Sequence, residues 1–233
     1  MVVEKIKADP IFTEQDLACF KTGEEFEVID ALVKNEHSEP LEHEGKLVGC
    51  VKRAHDVDLN LTSHVMFENL VVKASGVLAA RHLTKNAGIS PAEIEYVIEC
   101  SEEACGDMNQ RGGGNFAKAI AESCGYVNAT GADMRGFCAG PAHSVIAAAA
   151  LVKAGVYKNV VVVGGGATAK LGMNAKDHIK KEAPVLEDVL GGFAILVSED
   201  DGVSPYLNTD LVGRHTVGTG SSPQAVITSL IPM

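Results

Sequence analysis

The sequence predicts an α/β layered fold in which a mostly parallel sheet is flanked by helices. Three observations carry this expectation. Short apolar runs of strand type alternate with longer helical stretches through the middle of the chain. One of them, VVVVGG at Val160 to Gly165, has the uninterrupted β-branched composition of a strand buried on both faces. The helical stretches stop at Gly88, Gly125 and Gly155, where glycine supplies a left-handed cap.

Taken in order, the chain opens with an acidic, weakly patterned segment from Met1 to about Gly45, which reads as an arm or cap. Within it a helix is expected over Thr22 to Lys34, because EEFEVIDALVK places apolar residues near helical spacing. Residues 46–233 then read as one further unit. LVGCVK, Leu47 to Lys52, alternates enough for a first strand, and HVMFENLVVKASGVLAARHL, His64 to Leu83, is a long helix with apolar residues on most faces, hence buried. Ser90-Pro91 opens a short turn carrying Glu93. Tyr96 to Cys100 is a strand, Gly114 to Gly125 a helix, Pro141 to Ala154 an alanine-rich helix, and Phe193 to Glu199 a further strand. SSPQAVITSLIPM begins a helix and stops without a cap or a closing strand, so the chain reads as cut short, a fragment or the product of a split gene.

Composition excludes several classes of function. The chain has 233 residues, 46% hydrophobic and 22% charged, with a formal net charge of −11. That balance, with no basic stripe, argues against nucleic acid as partner. The lack of Trp removes the usual stacking platforms. No apolar run approaches the ~20 residues that span a bilayer, and MVVEKIKADP lacks the apolar core of a signal peptide, so no membrane association and a cytoplasmic location are expected. Six cysteines form no CxxC pair, so no metal site is indicated and free thiols are expected.

The residues that carry chemistry lie around Cys138, in RGFCAGPAH, where an extended segment turns into the alanine-rich helix. Unpaired N–H groups and about half a positive charge at a helix N-terminus favour a thiolate, and can bring a thiol pKa from ~8.5 into the ~3.5–7.5 range. The same groups can serve as an oxyanion hole. Gly136 and Gly140 permit the tight turn and close substrate approach, and Pro141 suits the first helical turn. The alternative is that Cys138 fills a space too small for another side chain. His143 is a candidate partner by proximity in sequence, but its place more than one turn along the helix aims it elsewhere. QRGGGNF, Gln110 to Phe116, runs a glycine turn into a helix and suits either an anion site or a plain loop. Gly164 to Ala169 has the form GxGxxA of a dinucleotide fingerprint, but neither a supporting helix nor an acid-tipped strand follows.

RGFCAGPAHSVIAAAALVKAG, VVVVGGGATAKLGMN and VLEDVLGGFAILVSEDDG follow the order of the thiolase-like condensing enzymes and are similar to 3-oxoacyl-acyl-carrier-protein synthase III. IECSEEACGDMNQRGGGNFAKAI and GRHTVGTGSSPQAV further resemble the beta subunit of protein C of the glycine, sarcosine and betaine reductase complexes. The resemblance implies the N-terminal half of a thiolase-like fold, a layered mixed sheet flanked by helices, whose His and Asn partners come from a second half outside this chain. It implies an acyl-transfer component in which Cys138 is the nucleophile, acylated before or after a cysteine of the partner subunit, and Glu103 is either an acid-base residue or a plain solvated end of its strand; the alternatives are a non-catalytic scaffold subunit of the same fold and a synthase III-like acyltransferase. Gly191 and Gly192 would line the substrate pocket, and Asn115 would border it. His215 matches the reductase pattern but precedes the segment where a condensing enzyme's catalytic His falls, so a structural role outweighs a catalytic one. The carboxymethyl group on selenoprotein A would become an acetyl thioester, then acetyl phosphate. Phosphate is thus an implied co-substrate, no bound cofactor is implied, and a phosphate-acyltransferase-like alpha subunit is an implied partner. Half of such a fold leaves apolar surface uncovered, so a homodimer or hetero-oligomer is expected.

Overall fold

The computed structural model describes residues 2–20, 23–35, 38–54, 61–101, 115–136, 139–167, 180–182 and 190–213. The elements are α1 (Val2–Ala8), α2 (Glu14–Ala18), α3 (Phe26–Asn35), β1 (Glu39–His43), β2 (Lys46–Val51), α4 (Ser63–Ala87), a 3-10 turn (Pro91–Glu93), β3 (Tyr96–Glu99), α5 (Phe116–Ser123), β4 (Thr130–Asp133), α6 (Gly140–Lys153), β5 (Val160–Ala167) and β6 (Leu190–Val197).

The main sheet has the order β4-β3-β5-β6. β3 runs parallel to both β4 and β5, whereas β6 returns antiparallel along all of β5, from Val160 opposite Val197 to Ala167 opposite Leu190. The sheet is therefore mixed, with its central strands parallel. Side chains two apart share a face. Val161 and Val163 join Val97, Ile120, Ala80 and Tyr126 beneath α4 and α5, while Val160 and Val162 join Ile98, Ala148, Ala149 and Val197 beneath α6. All four valines are fully buried. At roughly 1.5–3 kcal/mol for each side chain removed from water, β5 is the strand that binds the two helical layers together.

α4 starts at Thr62, whose hydroxyl accepts the Val65 N–H, and ends at Gly88 with φ 64°. Apart from Val71 and Val72, its buried residues are small or polar, among them Ser75, Gly76, Ala80 and Thr84, while Leu70 is exposed. This corrects the expectation of a helix buried on most faces. Small residues let α4 press onto the glycine-rich end of the sheet. A Cβ on Gly192 would lie 2.7 Å from Ser75 O, and one on Gly76 would lie 2.8 Å from Ile120 Cδ1.

The N-terminal segment is more structured than its weak pattern suggests. β1 pairs with β2 in an antiparallel hairpin whose two-residue turn, Glu44-Gly45, has both φ values positive, at 53° and 70°. Such turns match the twist of paired strands. The expected boundary at residue 45/46 thus falls inside a hairpin. Arg81 on α4 ties the arm down: its guanidinium grips both oxygens of Asp16 at 2.8 and 2.9 Å and also donates to Ile11 O and Ser123 O.

Candidate active site at the start of helix α6

α6 begins where the parallel strands β3 and β4 end, the edge at which open α/β sheets place ligands. Gly140 sits against the carboxyl end of β3, so close that a Cβ there would lie 3.3 Å from Cys100 O. Gly136 folds back on the helix start, with Gly140 N and Cα each 3.3 Å from where its own Cβ would stand. The Ala139 N–H donates to Gly136 O at 3.1 Å, tying together the residues that flank Phe137 and Cys138. Ala139, at the N-cap, has no side chain to cap the helix, and Pro141 follows in the first turn. The helix start therefore carries its dipole charge without a side-chain acceptor of its own.

Beneath this turn lies a polar network. Glu99, the last residue of β3, is 0% exposed; one carboxylate oxygen accepts the Ser101 N–H at 2.8 Å and the other accepts Arg135 Nη1 at 2.5 Å. Arg135 Nη1 also donates to Ser101 O at 2.8 Å, and Nη2 to Asp133 Oδ2 at 3.2 Å. The Arg135 guanidinium stands 6.0 Å from the Phe116 ring centroid, and its buried Nε has no partner among the described residues. Asp133 accepts the Phe116 and Ala117 N–H groups at 3.0 and 2.9 Å, so its charge sits on the start of α5. Ser101 Oγ accepts the Gly165 N–H at 2.9 Å, and Ser75 Oγ accepts the Gly166 N–H at 3.0 Å. Both hydroxyls thus help fix the end of β5.

Cys100 adjoins this network and is not poised as a nucleophile. Burial pushes its thiol up, against a smaller opposing effect from the Ser144 hydroxyl, and its Sγ lies 3.4 Å from Val163 O. Ser144 is itself fully buried, and its Oγ makes no full hydrogen bond among the described residues.

Cys138, Glu103 and His215 lie outside the described residues. His143 is exposed, and its Cδ2 stands 3.5 Å from where a Cβ on Gly136 would be. Asn115 is the N-cap of α5, its Oδ1 accepting the Lys118 N–H at 2.8 Å and its Nδ2 donating to Gly131 O at 3.1 Å. Gly191 and Gly192 pair with Gly166 and Gly165 at the start of β6; a Cβ on Gly191 would meet no described residue within 4 Å, and Gly192 is pressed on α4. Gly164 to Ala167 lie inside β5, paired with β6, so they do not form the strand-to-helix turn that a dinucleotide fingerprint requires. Sequence reasoning passed over Glu99, Asp133, Arg135, Ser101 and Ser75. A charge ending the apolar run YVIE was the available signal for the first of these.

With this geometry in place, residues 132–213 match the 3-oxoacyl-[acyl-carrier-protein (ACP)] synthase III family. The fold is thiolase-like. The chain is 71% identical over 209 residues, 90% of its length, to the glycine/sarcosine/betaine reductase complex component C subunit beta of Peptoclostridium acidaminophilum. It spans 41% of that relative's length. It is 36% identical over 95 residues to the beta-ketoacyl-[acyl-carrier-protein] synthase III of Listeria monocytogenes serotype 1/2a (strain 10403S), covering 40% of this chain and 28% of that one. Among solved structures, the priming beta-ketosynthase of the R1128 polyketide pathway matches at TM-score 0.35 and 34% identity over 39% of this chain and 26% of that one. The resemblance drawn from the sequence motifs, to the component C beta subunit and to synthase III, holds on these identities.

Proposed function

We propose that this chain carries the acyl-accepting nucleophile of a component C beta subunit of a glycine/sarcosine/betaine reductase complex, and that Cys138 is that nucleophile. The observation that carries the reading is the 71% identity over nine tenths of the chain. The helix start set against the carboxyl ends of β3 and β4 supplies a physical basis for it. Dipole charge and free N–H groups there lower a thiol pKa and stabilise an acyl oxyanion. In this reading the carboxymethyl group on selenoprotein A is the source of the acetyl group held by Cys138 as a thioester: a second thiol attacks the selenium and leaves a selenium–sulfur bond, the released carbon keeps the electron pair and takes a proton to become methyl, and one carboxyl oxygen departs as water as the Cys138 thioester forms. Phosphate, brought by the phosphate-acyltransferase-like alpha subunit, then attacks the acyl carbon, the thiolate leaves, and acetyl phosphate forms. Glu103 shuttles the proton. The assembly works in the cytoplasm; no described helix is long and apolar enough to cross a membrane.

Limiting iodoacetamide with peptide mapping tests the assignment. Cys138 is expected to react fastest near pH 7, with the buried Cys100 and Cys124 slowest, and acetyl is expected on Cys138 in the assembled complex. Reaction no faster than at the exposed Cys19, with no acetyl at Cys138, overturns it. The synthase III match over residues 132–213 favours a second reading, an acyltransferase acting outside any reductase complex. Acetyl release from Cys138 that ignores phosphate would select that reading.

A further inference from the structure

We propose that residues 2–20 form a strap that opens from the rest of the fold as a unit, with the Asp16–Arg81 pair as its latch and the Cys124 thiol among the groups it covers. The inference does not depend on the role of Cys138. Little apolar contact joins the strap to the body. Among its described side chains Ile11 alone is buried, and no strap residue belongs to either core cluster. Its helices α1 and α2 have 7 and 5 residues. Helices that short do not hold in water by themselves, so they form when docked and are lost together when released.

The polar attachment is gathered at one guanidinium. Arg81 donates to both oxygens of Asp16 and to Ile11 O on the strap, and to Ser123 O at the end of α5. Asp16 Oδ2 also accepts the Thr13 N–H at 2.7 Å and the Thr13 hydroxyl at 2.8 Å, closing the capping box of α2. One carboxylate thus both orders the second helix and fastens it to α4, so losing it undoes both. The Arg81 and Asp16 side chains are 13% and 28% exposed, a setting in which a bidentate pair is screened far less than one in open water. The other tie, from Lys5 to His43 Nε2 at 2.6 Å and Glu44 at 3.1 Å, joins exposed groups and holds little. Cys124 lies beside the latch. The carbonyl of its neighbour Ser123 is held by Arg81, its Sγ rests 3.7 Å from Val77 O on α4, and the charges of Arg81 and Asp16 both reach it. Cys100 is buried too, but on the opposite face of the sheet beneath α6.

The experiment follows iodoacetamide labelling of each cysteine by peptide mapping in the full chain, at one pH and in urea below the unfolding transition, with hydrogen exchange of the 2–20 peptides alongside. In the wild-type chain Cys124 is expected to react through strap opening, at a rate that barely changes over this urea range, because the opening exposes little surface. D16N is expected to speed Cys124 about tenfold, and the exchange of residues 2–20 with it, while Cys100 keeps its wild-type rate. I11A, which removes the apolar anchor, acts in the same direction on Cys124 alone. K5M changes the rate by no more than about twofold, and G192A, a lesion in the body, leaves it as in wild type. Joint acceleration of Cys124 and Cys100 in D16N would mean a loosening of the whole fold and overturns the proposal. So does a Cys124 rate unchanged in both D16N and I11A, a G192A effect as large as that of D16N, or a wild-type rate that climbs with urea as steeply as unfolding itself. Loss of the folded state in D16N and I11A alike would show that strap and body fold together, and overturns it as well.

Discussion

Cys124 shows what burial does to a thiol that has no functional turn around it. It closes α5 beneath α4, its Sγ is 3.7 Å from Val77 O, and desolvation pushes its pKa to about 11, against weaker favourable effects from Arg81 and Tyr126. The folded pKa lies above the unfolded value of about 9, so the native state holds this proton more tightly. The resulting stabilisation is complete below pH 9 and is lost as the pH rises through 11. Two units correspond to about 2–3 kcal/mol at most. Urea midpoints are expected to fall between pH 9 and 11, and C124A should lose part of that slope; an unchanged slope would show that Cys124 does not carry it. Asp16 has the opposite sign. The Arg81 fork holds its carboxyl well below the usual carboxylate range, so its contribution is present above about pH 4 and lost in acid. D16N is expected to cost about 1–2 kcal/mol, as the lost fork is only partly exposed. That loss should show as a lower melting temperature at pH 7 that converges on wild type as the pH falls toward 2.

At the scale of elements, the contact of α4 with the β5–β6 end makes two adjacent glycines unequal. A Cβ on Gly192 meets the backbone of Ser75 at 2.7 Å, which cannot swing aside, whereas one on Gly191 meets nothing within 4 Å among the described residues. G192A is therefore expected to cost about 1–3 kcal/mol by overpacking, and G191A to stay within about 0.5 kcal/mol of wild type. Equal urea midpoints for the two variants would contradict the contact. The same region shows what was legible in the sequence. The long helix, its Gly88 cap, the Ser90 turn and the VVVV strand were readable because each is specified by local chemistry: helical spacing, φ above zero at glycine, β-branching. β1 and β4 were not, since EPLEH and TGAD carry no strand composition and pair only because a neighbour offers an edge. Nor was the Glu99–Arg135–Asp133 network, because its members lie 36 and 2 residues apart and meet only when β3 and β4 align. The start of α6 was legible from Gly140 and Pro141, whereas the use of Asn115 as a helix cap could be seen only in the fold.

At the scale of the whole molecule, the two faces of the sheet are unequally covered. Under α4 and α5 the core is closed by ten buried residues, from Ala80 to Val163. On the other face α6 stands alone among the described elements over β3 and β5, and β6 is left as an edge strand whose Phe193 and Ile195 are 37% and 40% exposed. Ile146, on α6 itself, is exposed as well. Apolar residues gathered on a strand that is an edge among the described residues, and on the helix beside it, mark a surface suited to a partner. The 24.4 kDa chain is accordingly expected to associate, either with itself or with a partner subunit, and light scattering at micromolar concentration should return a mass well above that of one chain. I195K, which places a charge on the edge, is expected to shift that mass downward without lowering the melting temperature by more than a few degrees, because Ile195 contributes little to the closed core. A monodisperse monomer before substitution would contradict the association, and an unchanged mass in I195K would place the contact elsewhere on the molecule.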